Sequence, residues 1–301
     1  MTTRLLLVRH GDRYDYANLE AWRTRCQRQG LEPSDPPLSA LGHQQARETA
    51  AALELYRPDV LLCSPYLRVL QTVQPLAHAC SQRICVDDAL AEFRHDPALI
   101  SISRLAVFPE IDESYDPMLR LTEAGPESEE DYFRRLLLLA REVTRRYTGQ
   151  TVALFSHAAS VALVGALTGC ELVCDAGTFA PCGIYSLVTD DAGATWRVES
   201  RGDTNQPHVT RNVPSTYAWG FCHSRSSKRI EATWQSALRL GPTDAHQAKA
   251  PEDARWDGVP ALPTARASVR RACAVVATGA LAAVGLRFIL RAAAAGRGTR
   301  P

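Results

Sequence analysis

The sequence predicts an α/β fold, a three-layer α/β/α sandwich with a mostly parallel sheet. Two patterns support this prediction. Short apolar runs, typical of strands buried on both faces, alternate with longer stretches whose apolar residues recur at helical spacing. This order of strands and helices is typical of a parallel sheet that is covered by helices on both faces. The apolar runs are residues 5–8, 60–63, 84–86 and 151–155.

Four amphipathic stretches predict the helices of the two outer layers, and they span residues 38–55, 66–79, 128–147 and 160–167. Ser39 and Ser128 stand where N-caps are expected for two of them. Residues 14–37 are polar with scattered aromatics, and we expect a loop there. Residues 184–189 and 195–199 predict a hairpin at the edge of the sheet.

The domain boundaries follow from the places where periodicity is lost. We expect one domain over residues 1–221, with residues 93–127 as a lid or insertion because they lack a regular pattern. Residues 217–221 are apolar enough to pack back on that domain. Residues 222–265 are polar and interrupted by prolines, which predicts a disordered linker before a basic tail at 266–301.

The tail differs in charge from the rest of the chain. From Arg266 onward there are seven arginines and no Lys, Asp or Glu, so the net charge of +1 divides into +7 for the tail and −6 for residues 1–265. The overall balance gives no argument for nucleic-acid binding.

Residues 272–290 are apolar except for Arg287. Two interpretations remain: a C-terminal tail anchor on the cytosolic face of an organelle membrane, or a low-complexity or amphipathic Ala/Arg tail.

The cysteine pattern argues against a metal site. Nine cysteines occur without a CxxC pair, and Cys170 and Cys174 have no second Cys/His pair at zinc spacing. We therefore expect no metal and no cofactor. The odd number of cysteines favours a reducing, cytoplasmic location, and the apolar run after Met1 is too short for a signal peptide.

Ionisable side chains follow three of the predicted strands. Arg9, His10 and Arg13 follow the first strand, Arg68 follows the second, and His157 follows the fourth. Ligands of open α/β sheets bind beyond the carboxyl ends of the strands, so these groups are expected to meet. One guanidinium group can bind two phosphate oxygens at once, and a neutral imidazole can attack phosphorus. The sequence therefore predicts a phosphoryl-transfer site.

Four blocks of sequence carry a family resemblance. Residues 7–11, 38–46, 64–72 and 155–161 resemble, in this order, the four blocks of the histidine phosphatase superfamily, branch 1, the phosphoglycerate-mutase-like group. The resemblance implies that His10 is the nucleophile and that the phosphate pocket is lined by Arg9, Arg68 and His157. It also implies a proton donor in a short stretch after the third strand, which here is Leu90-Ala91-Glu92-Phe93.

Two of these assignments have alternatives. Glu92 is the expected donor, but it could cap a following helix, and Asp12 and Asp96 are weaker donor candidates. The stretch around Arg13 more narrowly resembles the T-cell-signalling suppressor phosphatases, which implies that Arg13 contacts phosphate. The other interpretation of Arg13 is an ion pair with a loop carboxylate.

The resemblance implies a phosphomonoester hydrolase that forms a phosphohistidine. Mutases of the family usually carry a serine two residues after the glycine and then a Trp-Asn pair, whereas this chain has Arg13 and Tyr16-Ala17. The aromatic residues Tyr14, Tyr16 and Trp22 favour an aryl phosphate such as phosphotyrosine, in a phosphoprotein or alone. A small phosphorylated metabolite is the other expected substrate. The alternatives are a mutase-type phosphotransferase and a catalytically weak binding or scaffold module.

Overall fold

The computed structural model describes residues 1–93, 107–120, 126–203, 207–210, 218–223 and 227–243. The chain divides into two compact units, Met1–Ala250 and Pro251–Pro301, and every described residue belongs to the first. The strands are β1 (Thr3–Arg9), β2 (Val60–Cys63), β3 (Ile84–Val86), β4 (Thr151–Ser156), β5 (Ile184–Thr189) and β6 (Arg197–Ser200). The α-helices are α1 (Tyr14–Ala17), α2 (Leu19–Gln29), α3 (Ala40–Glu54), α4 (Leu67–Cys80), α5 (Glu129–Arg146), α6 (Ala162–Thr168) and α7 (Ser227–Leu240).

The strands form one mixed sheet in the order β3-β2-β4-β1-β5-β6. The first four strands in this order are parallel, and β5 and β6 add an antiparallel edge. Two buried apolar clusters lie against the sheet, one containing Phe133, Leu136 and Trp234, the other Val69, Leu70 and Val73. The predicted α/β class, the mostly parallel sheet and the edge hairpin are confirmed.

The helix ends follow the local chemistry of the sequence. The Ser39 hydroxyl accepts a hydrogen bond from Gly42 N at the start of α3, and the Ser128 hydroxyl accepts one from Asp131 N at the start of α5. Both serines satisfy backbone donors that the first helical turn leaves open. The α5 helix carries the longest apolar stripe, and its last turn ends on Arg145 and Arg146, which suit the negative end of the helix dipole.

The loop predicted for residues 14–37 is partly wrong, because α1 and α2 lie within it. Only Trp22 and Cys26 of α2 are buried. Two apolar residues one turn apart give too narrow a stripe to be distinguished from a polar loop by periodicity. The helix ends at Gly30, which adopts the left-handed conformation that glycine accepts without strain.

The disordered linker predicted for residues 222–265 is wrong over residues 227–240, which form α7. This helix packs on α5, and Trp234 in its middle is fully buried and donates its indole N–H to Cys170 O at 3.2 Å. One large aromatic residue with Ile230 and Ala237 provides enough apolar surface to hold an otherwise polar helix. The linker residues 244–265 lie outside the described part of the chain.

Two further predictions concern segments that the structure describes only in part or not at all. The apolar stretch 272–290 lies wholly outside the described residues. Within the residues that are described, no helix has the length and apolar character needed to cross a membrane. Residues 107–120, within the predicted lid, pack beside β3, where Ile111 forms a bridge with Ile84. The remainder of that segment, apart from Phe93, Pro126 and Glu127, is not described.

Trp234→Ala tests the docking of α7. We expect this change to lower the free energy of unfolding by about 3–5 kcal/mol, because it leaves a cavity where a buried indole contacts α5. Leu238→Ala on the same helix is the control; Leu238 is 37% exposed, and its truncation is expected to cost less than about 0.5 kcal/mol. Chemical denaturation of the full chain measures both. Equal stabilities of the two variants would show that α7 is not held by Trp234.

Candidate active site

Three strand ends meet at one edge of the sheet. Because β4 lies between β2 and β1, the residues that follow these strands are neighbours. The backbone hydrogen bonds between neighbouring strands continue past the strand ends. His10 N donates to Ser156 O and Ser64 N donates to Phe155 O, each at 3.0 Å. The His10 and His157 rings are consequently 5.4 Å apart between centroids, in an edge-to-face arrangement. The predicted meeting of the strand ends is thus observed.

Close backbone contact fixes the turn after His10. A Cβ atom on Gly11 would lie 2.8 Å from the carbonyl oxygen of Gly42, and one on Gly42 would lie 2.2 Å from that of Asp12. The loop after β1 therefore rests directly on the first turn of α3, and only glycines allow this approach. The Asp12 carboxylate accepts a hydrogen bond from the Ser39 hydroxyl at 2.6 Å. Asp12 thus braces the helix cap.

His10 is held in one tautomer. Its Nδ1 lies 2.7 Å from Gly11 O, and because a carbonyl oxygen can only accept, Nδ1 carries the hydrogen. The lone pair is then on Nε2. Burial lowers the pKa of His10 well below 6.5, and the guanidinium groups of Arg68 and Arg9 lower it further. His10 is therefore a neutral imidazole with its Nε2 ready to act as a nucleophile.

Two buried arginines flank the histidines. Arg9 Nη1 donates to Phe179 O at 2.6 Å. Arg68 donates from Nη1 to Ser34 O at 3.3 Å and lies 3.7 Å from an Asp35 carboxylate oxygen. Burial lowers the pKa of Arg68 to about 10, so this guanidinium stays charged at neutral pH. These fixed cations give the site a positive potential.

His157 connects Arg68 to the second strand. Its Nε2 is 2.8 Å from the Ser64 hydroxyl, and its Nδ1 is 3.2 Å from Arg68 Nη2. A guanidinium can only donate, so Nδ1 accepts and Nε2 carries the hydrogen of a neutral ring. Burial and the charge of Arg68 lower the pKa of His157 well below 6.5. Protonation of the Nδ1 atom would require Arg68 to turn away, or an anion to bind nearby.

Glu92 provides the carboxylate of the site. Its Oε2 lies 3.4 Å from His157 Nδ1 and 3.6 Å from Arg68 Nη2. The alternative interpretation of Glu92 as a cap of the next helix concerns residues 94–106, which lie outside the described part of the chain. Of the two weaker donor candidates, Asp12 is engaged with Ser39, and Asp96 lies outside the described residues. Glu92 is therefore the carboxyl group that the described chain brings to His10 and His157.

A buried arginine holds the segment that carries Glu92. Arg135 on α5 forms a paired ion bridge with Glu127 at 2.8 and 2.7 Å. It also donates to the carbonyl oxygens of Ala89 and Ala91, at 2.9 and 3.0 Å. These contacts fix the backbone just before Glu92. This role could not be predicted, because the sequence pattern does not distinguish a buried arginine of an amphipathic helix from one on its solvated face.

Arg13 forms the ion pair with a loop carboxylate that its sequence context allowed, and it also lies at the cavity. Its guanidinium pairs with Asp15 through Nε and Nη2, at 2.9 and 2.6 Å, and stacks 4.8 Å from the Tyr16 ring centroid. Arg13 also lines the cavity described next. The ion pair therefore orients the guanidinium and does not remove it from the site. Trp22, which sequence reasoning placed near the substrate, is instead buried against Pro33.

A cavity of about 680 Å³ opens above these groups. Charged, polar and aromatic side chains line it, and the lining residues are Arg9, His10, Arg13, Tyr16, Ser34, Tyr66, Arg68, Glu92, Phe93, Glu129, Tyr132, Phe133, Ala158, Ala159, Ala218, Trp219, Phe221 and Ile230. Sequence reasoning missed the aromatic side and the contribution of α7. The apolar stretch 217–221 was the one sequence feature that pointed to this part of the cavity. From it we predicted packing on the domain and not a contribution to the site.

The side chains of His10, Glu92 and His157 also have the donor types of a metal site. One ligand atom from each lies within 4.8 Å of the others. However, Nδ1 of His157 faces a guanidinium, and Arg9, Arg13 and Arg68 line or adjoin the same space. These fixed positive charges oppose a cation and favour an anion. The chemistry of the site therefore suits an oxyanion, which the guanidinium forks can bind.

Comparison with known proteins gives a family for this arrangement. The family model of the histidine phosphatase superfamily (branch 1) matches residues 5–204. The chain is 28% identical over 177 residues to phosphoserine phosphatase 1 of Hydrogenobacter thermophilus, covering 56% of this chain and 78% of that protein.

This chain shares its fold with a solved phosphatase structure, and it is similar to a second one. The ecdysone phosphate phosphatase of Bombix mori, crystallised with tungstate, superposes with a TM-score of 0.55 at 19% identity, covering 70% of this chain and 95% of that chain. A mycobacterial glucosyl-3-phosphoglycerate phosphatase gives a TM-score of 0.46 at 19% identity, covering 66% and 98% of the two chains.

An NMR titration of the imidazole nitrogens tests the electrostatics of the site. We expect His10 and His157 to stay neutral at pH 6 in the free protein, because burial and Arg68 lower both pKa values. Saturating inorganic phosphate is expected to raise both, because a bound dianion offsets the guanidinium charge. His157→Gln assigns the signals. If His10 gains its proton at or above pH 6.5 in the free protein, the proposed neutral ring is wrong.

Proposed function

Because this chain belongs to the histidine phosphatase superfamily, branch 1, we propose that it hydrolyses phosphomonoesters through a covalent phosphohistidine at His10. The observation that carries the proposal is the tautomer of His10. Its Nδ1–H bonded to Gly11 O leaves the Nε2 lone pair available, and the lowered pKa keeps that lone pair unprotonated. A neutral imidazole beside fixed cations is the nucleophile that a phosphate dianion requires.

The first step forms a bond between His10 Nε2 and phosphorus, and the ester P–O bond breaks. Arg9, Arg13 and Arg68 bind the phosphoryl oxygens and offset the charge that spreads over them in the transition state. As Nε2 bonds to phosphorus, positive charge develops on the ring, and the Nδ1–H donation to Gly11 O stabilises it. His157 donates to the same phosphoryl group once the bound dianion has raised its pKa.

Glu92 transfers the protons. In the first step it donates a proton to the departing alcohol oxygen, so the alcohol leaves neutral. In the second step the Glu92 carboxylate accepts a proton from water as the water oxygen attacks phosphorus. The P–N bond then breaks, inorganic phosphate leaves, and His10 regains its lone pair. The distances from Glu92 to His157 and Arg68 support this assignment, because they place the carboxyl beside the phosphate-binding groups.

The substrate that we propose is a small phosphorylated metabolite. The similarity to a protein named phosphoserine phosphatase 1 supports a small phosphomonoester as the substrate class and leaves the alcohol part open. Three aromatic residues favoured an aryl phosphate in the sequence. Of these, Tyr16 lines the cavity, whereas Trp22 is buried elsewhere. The narrower resemblance to suppressor phosphatases remains a prediction, supported by the presence of Arg13 at the cavity. Hydrolysis is favoured over mutase-type transfer by that same arginine and by Tyr16.

Rapid-quench kinetics with p-nitrophenyl phosphate test the two-step mechanism. In Glu92→Gln we expect a burst of about one nitrophenolate per active site, followed by slow turnover, because this leaving group needs no proton whereas water activation needs the base. Steady-state kcat is expected to fall about 10²–10⁴-fold. His10→Ala is expected to give no burst and no phosphoenzyme.

The phosphoenzyme is identified by its chemistry. Labelled phosphate on Glu92→Gln is expected to be stable in alkali and lost in acid, and to map to His10. Wild-type enzyme that transfers the phosphoryl group between alcohols without releasing inorganic phosphate would contradict hydrolysis and favour the mutase alternative. Tight ligand binding by wild-type protein without turnover of any phosphomonoester would favour a binding module.

Arg135→Lys tests whether Arg135 acts by positioning Glu92. Lysine keeps the charge but cannot bind Glu127 in a fork or reach several carbonyl oxygens together. We expect kcat for an alkyl phosphate to fall about tenfold, because the proton donor is misplaced, while the burst rate with p-nitrophenyl phosphate stays within about twofold. Arg134→Lys is the matched control, since Arg134 donates its Nε to Gly241 O away from the Glu92 segment. An equal loss with both substrates would indicate a purely structural role.

A further inference from the structure

Part of the cavity wall is built by residues beyond the family match. That match ends at residue 204, yet Ala218, Trp219, Phe221 and Ile230 line the cavity. Phe221 and Ile230 are buried, and Trp219 is partly exposed. The strand ends thus supply the phosphate-binding groups, and the segment leading into α7 supplies a separate apolar surface.

The apolar surface is a continuous set of rings. Ring centroids are 4.7 Å apart for Trp219 and Phe221, and 5.5 Å apart for Phe221 and Phe133. The set continues from Phe133 to Tyr132 at 6.0 Å and from Tyr132 to Phe93 at 5.5 Å. All five line the cavity, and Phe93 directly follows the proton donor Glu92. A substrate bound at His10 therefore has an aromatic surface next to it.

This surface is held in place by its neighbours. Trp219 pairs through its backbone with Phe179, by hydrogen bonds of 2.7 and 3.2 Å, and Phe179 O accepts from Arg9. On α7, Arg229 pairs with Glu129 at 2.6 Å, and Ser236 donates to Glu130 at 2.6 Å. The wall is consequently tied both to α5 and to the phosphate-binding Arg9.

Glu129, a charged residue that the described chain places at the wall, is already paired. Glu129 lines the cavity, and its carboxylate is bound by Arg229. A charged substrate group at the wall would have to compete with this pair, whereas an apolar ring would bury its surface against Phe221, Trp219 and Ile230. Burial of about 100 Å² of apolar surface is expected to raise the binding constant about 50-fold. The wall therefore favours a bulky apolar alcohol group over a small polar one.

We propose that Trp219, Phe221 and Ile230 form a specificity site that seats an apolar, ring-sized alcohol portion of the phosphomonoester. This proposal rests on the proposed function and narrows its substrate class. It assigns recognition of the phosphate to the strand ends and recognition of the alcohol to residues 218–221 and the first turn of α7. The favoured substrate is then a phosphomonoester of a hydrophobic alcohol, and a phosphorylated amino acid or sugar is a poor one.

Three alkyl phosphates of comparable leaving-group basicity separate the two contributions. They are 2-phenylethyl phosphate, ethyl phosphate and phosphoserine. We expect kcat/KM of the full-length wild-type chain to be about 50-fold higher for 2-phenylethyl phosphate than for ethyl phosphate. Phosphoserine is expected to be no better than ethyl phosphate. Equal kcat/KM for the three substrates, or a preference for phosphoserine, would overturn the proposal.

Variants of the wall locate the effect. Trp219→Ala and Ile230→Ala are each expected to lower about tenfold the ratio of kcat/KM for 2-phenylethyl phosphate to kcat/KM for ethyl phosphate. Trp219 is 38% exposed, so its truncation keeps the test available if Ile230→Ala does not fold. Leu238→Ala, on α7 but not lining the cavity, is the control and should keep the preference.

The outcomes separate this proposal from the one on which it rests. A preference that survives both wall substitutions would show that another surface selects the alcohol, and hydrolysis itself would stand. Absence of phosphate release from all three substrates, together with no phosphoenzyme from p-nitrophenyl phosphate, would instead remove the proposed function and the specificity site with it.

Discussion

Buried guanidinium charge at the carboxyl ends of parallel strands is the constraint on which this structure depends. Removing Arg9 and Arg68 from water is costly, and the chain offsets the cost with oriented oxygen atoms. Phe179 O and Ser34 O accept from the two arginines, and the Asp35 carboxylate lies 3.7 Å from Arg68. Arg68 Nε still has no acceptor among the described residues. We propose that a bound oxyanion supplies the acceptor that this atom lacks.

The same charge determines the state of the two histidines. A positive potential and burial both disfavour imidazolium, so His10 and His157 are neutral in the free site. For His10 this is useful, because only the neutral ring has a lone pair to donate. For His157 the effect reverses when a dianion binds, since the anion offsets the guanidinium field and stabilises an added proton. In the mechanism that we propose, one set of cations keeps His10 nucleophilic before substrate binds and allows His157 to become a donor afterwards.

Much of this arrangement could be predicted from the sequence, because short-range rules apply to it. Apolar runs place His10 and His157 after strands, and parallel strands bring those ends to one edge. What could not be predicted depends on contacts between distant residues. The role of Arg135 arises only when α5 lies against residues 88–92. The α7 helix was missed because its stability comes from Trp234 packing on α5 and not from its own polar sequence.

We propose that the strand ends recognise the phosphate and that later segments recognise the alcohol part of the substrate. This division has a physical reason. In our proposal phosphate is recognised by charges at the strand ends, and Arg9 among them cannot move without losing its register with Ser156. The alcohol part of a substrate makes only apolar and steric demands, which a docked helix can meet without disturbing the sheet. The α7 helix is attached through Trp234, one turn beyond Ile230, and so it can present different side chains to the cavity while its anchor stays the same. Changes of specificity in such a chain are therefore expected to fall on residues 218–230 before they fall on the strand ends.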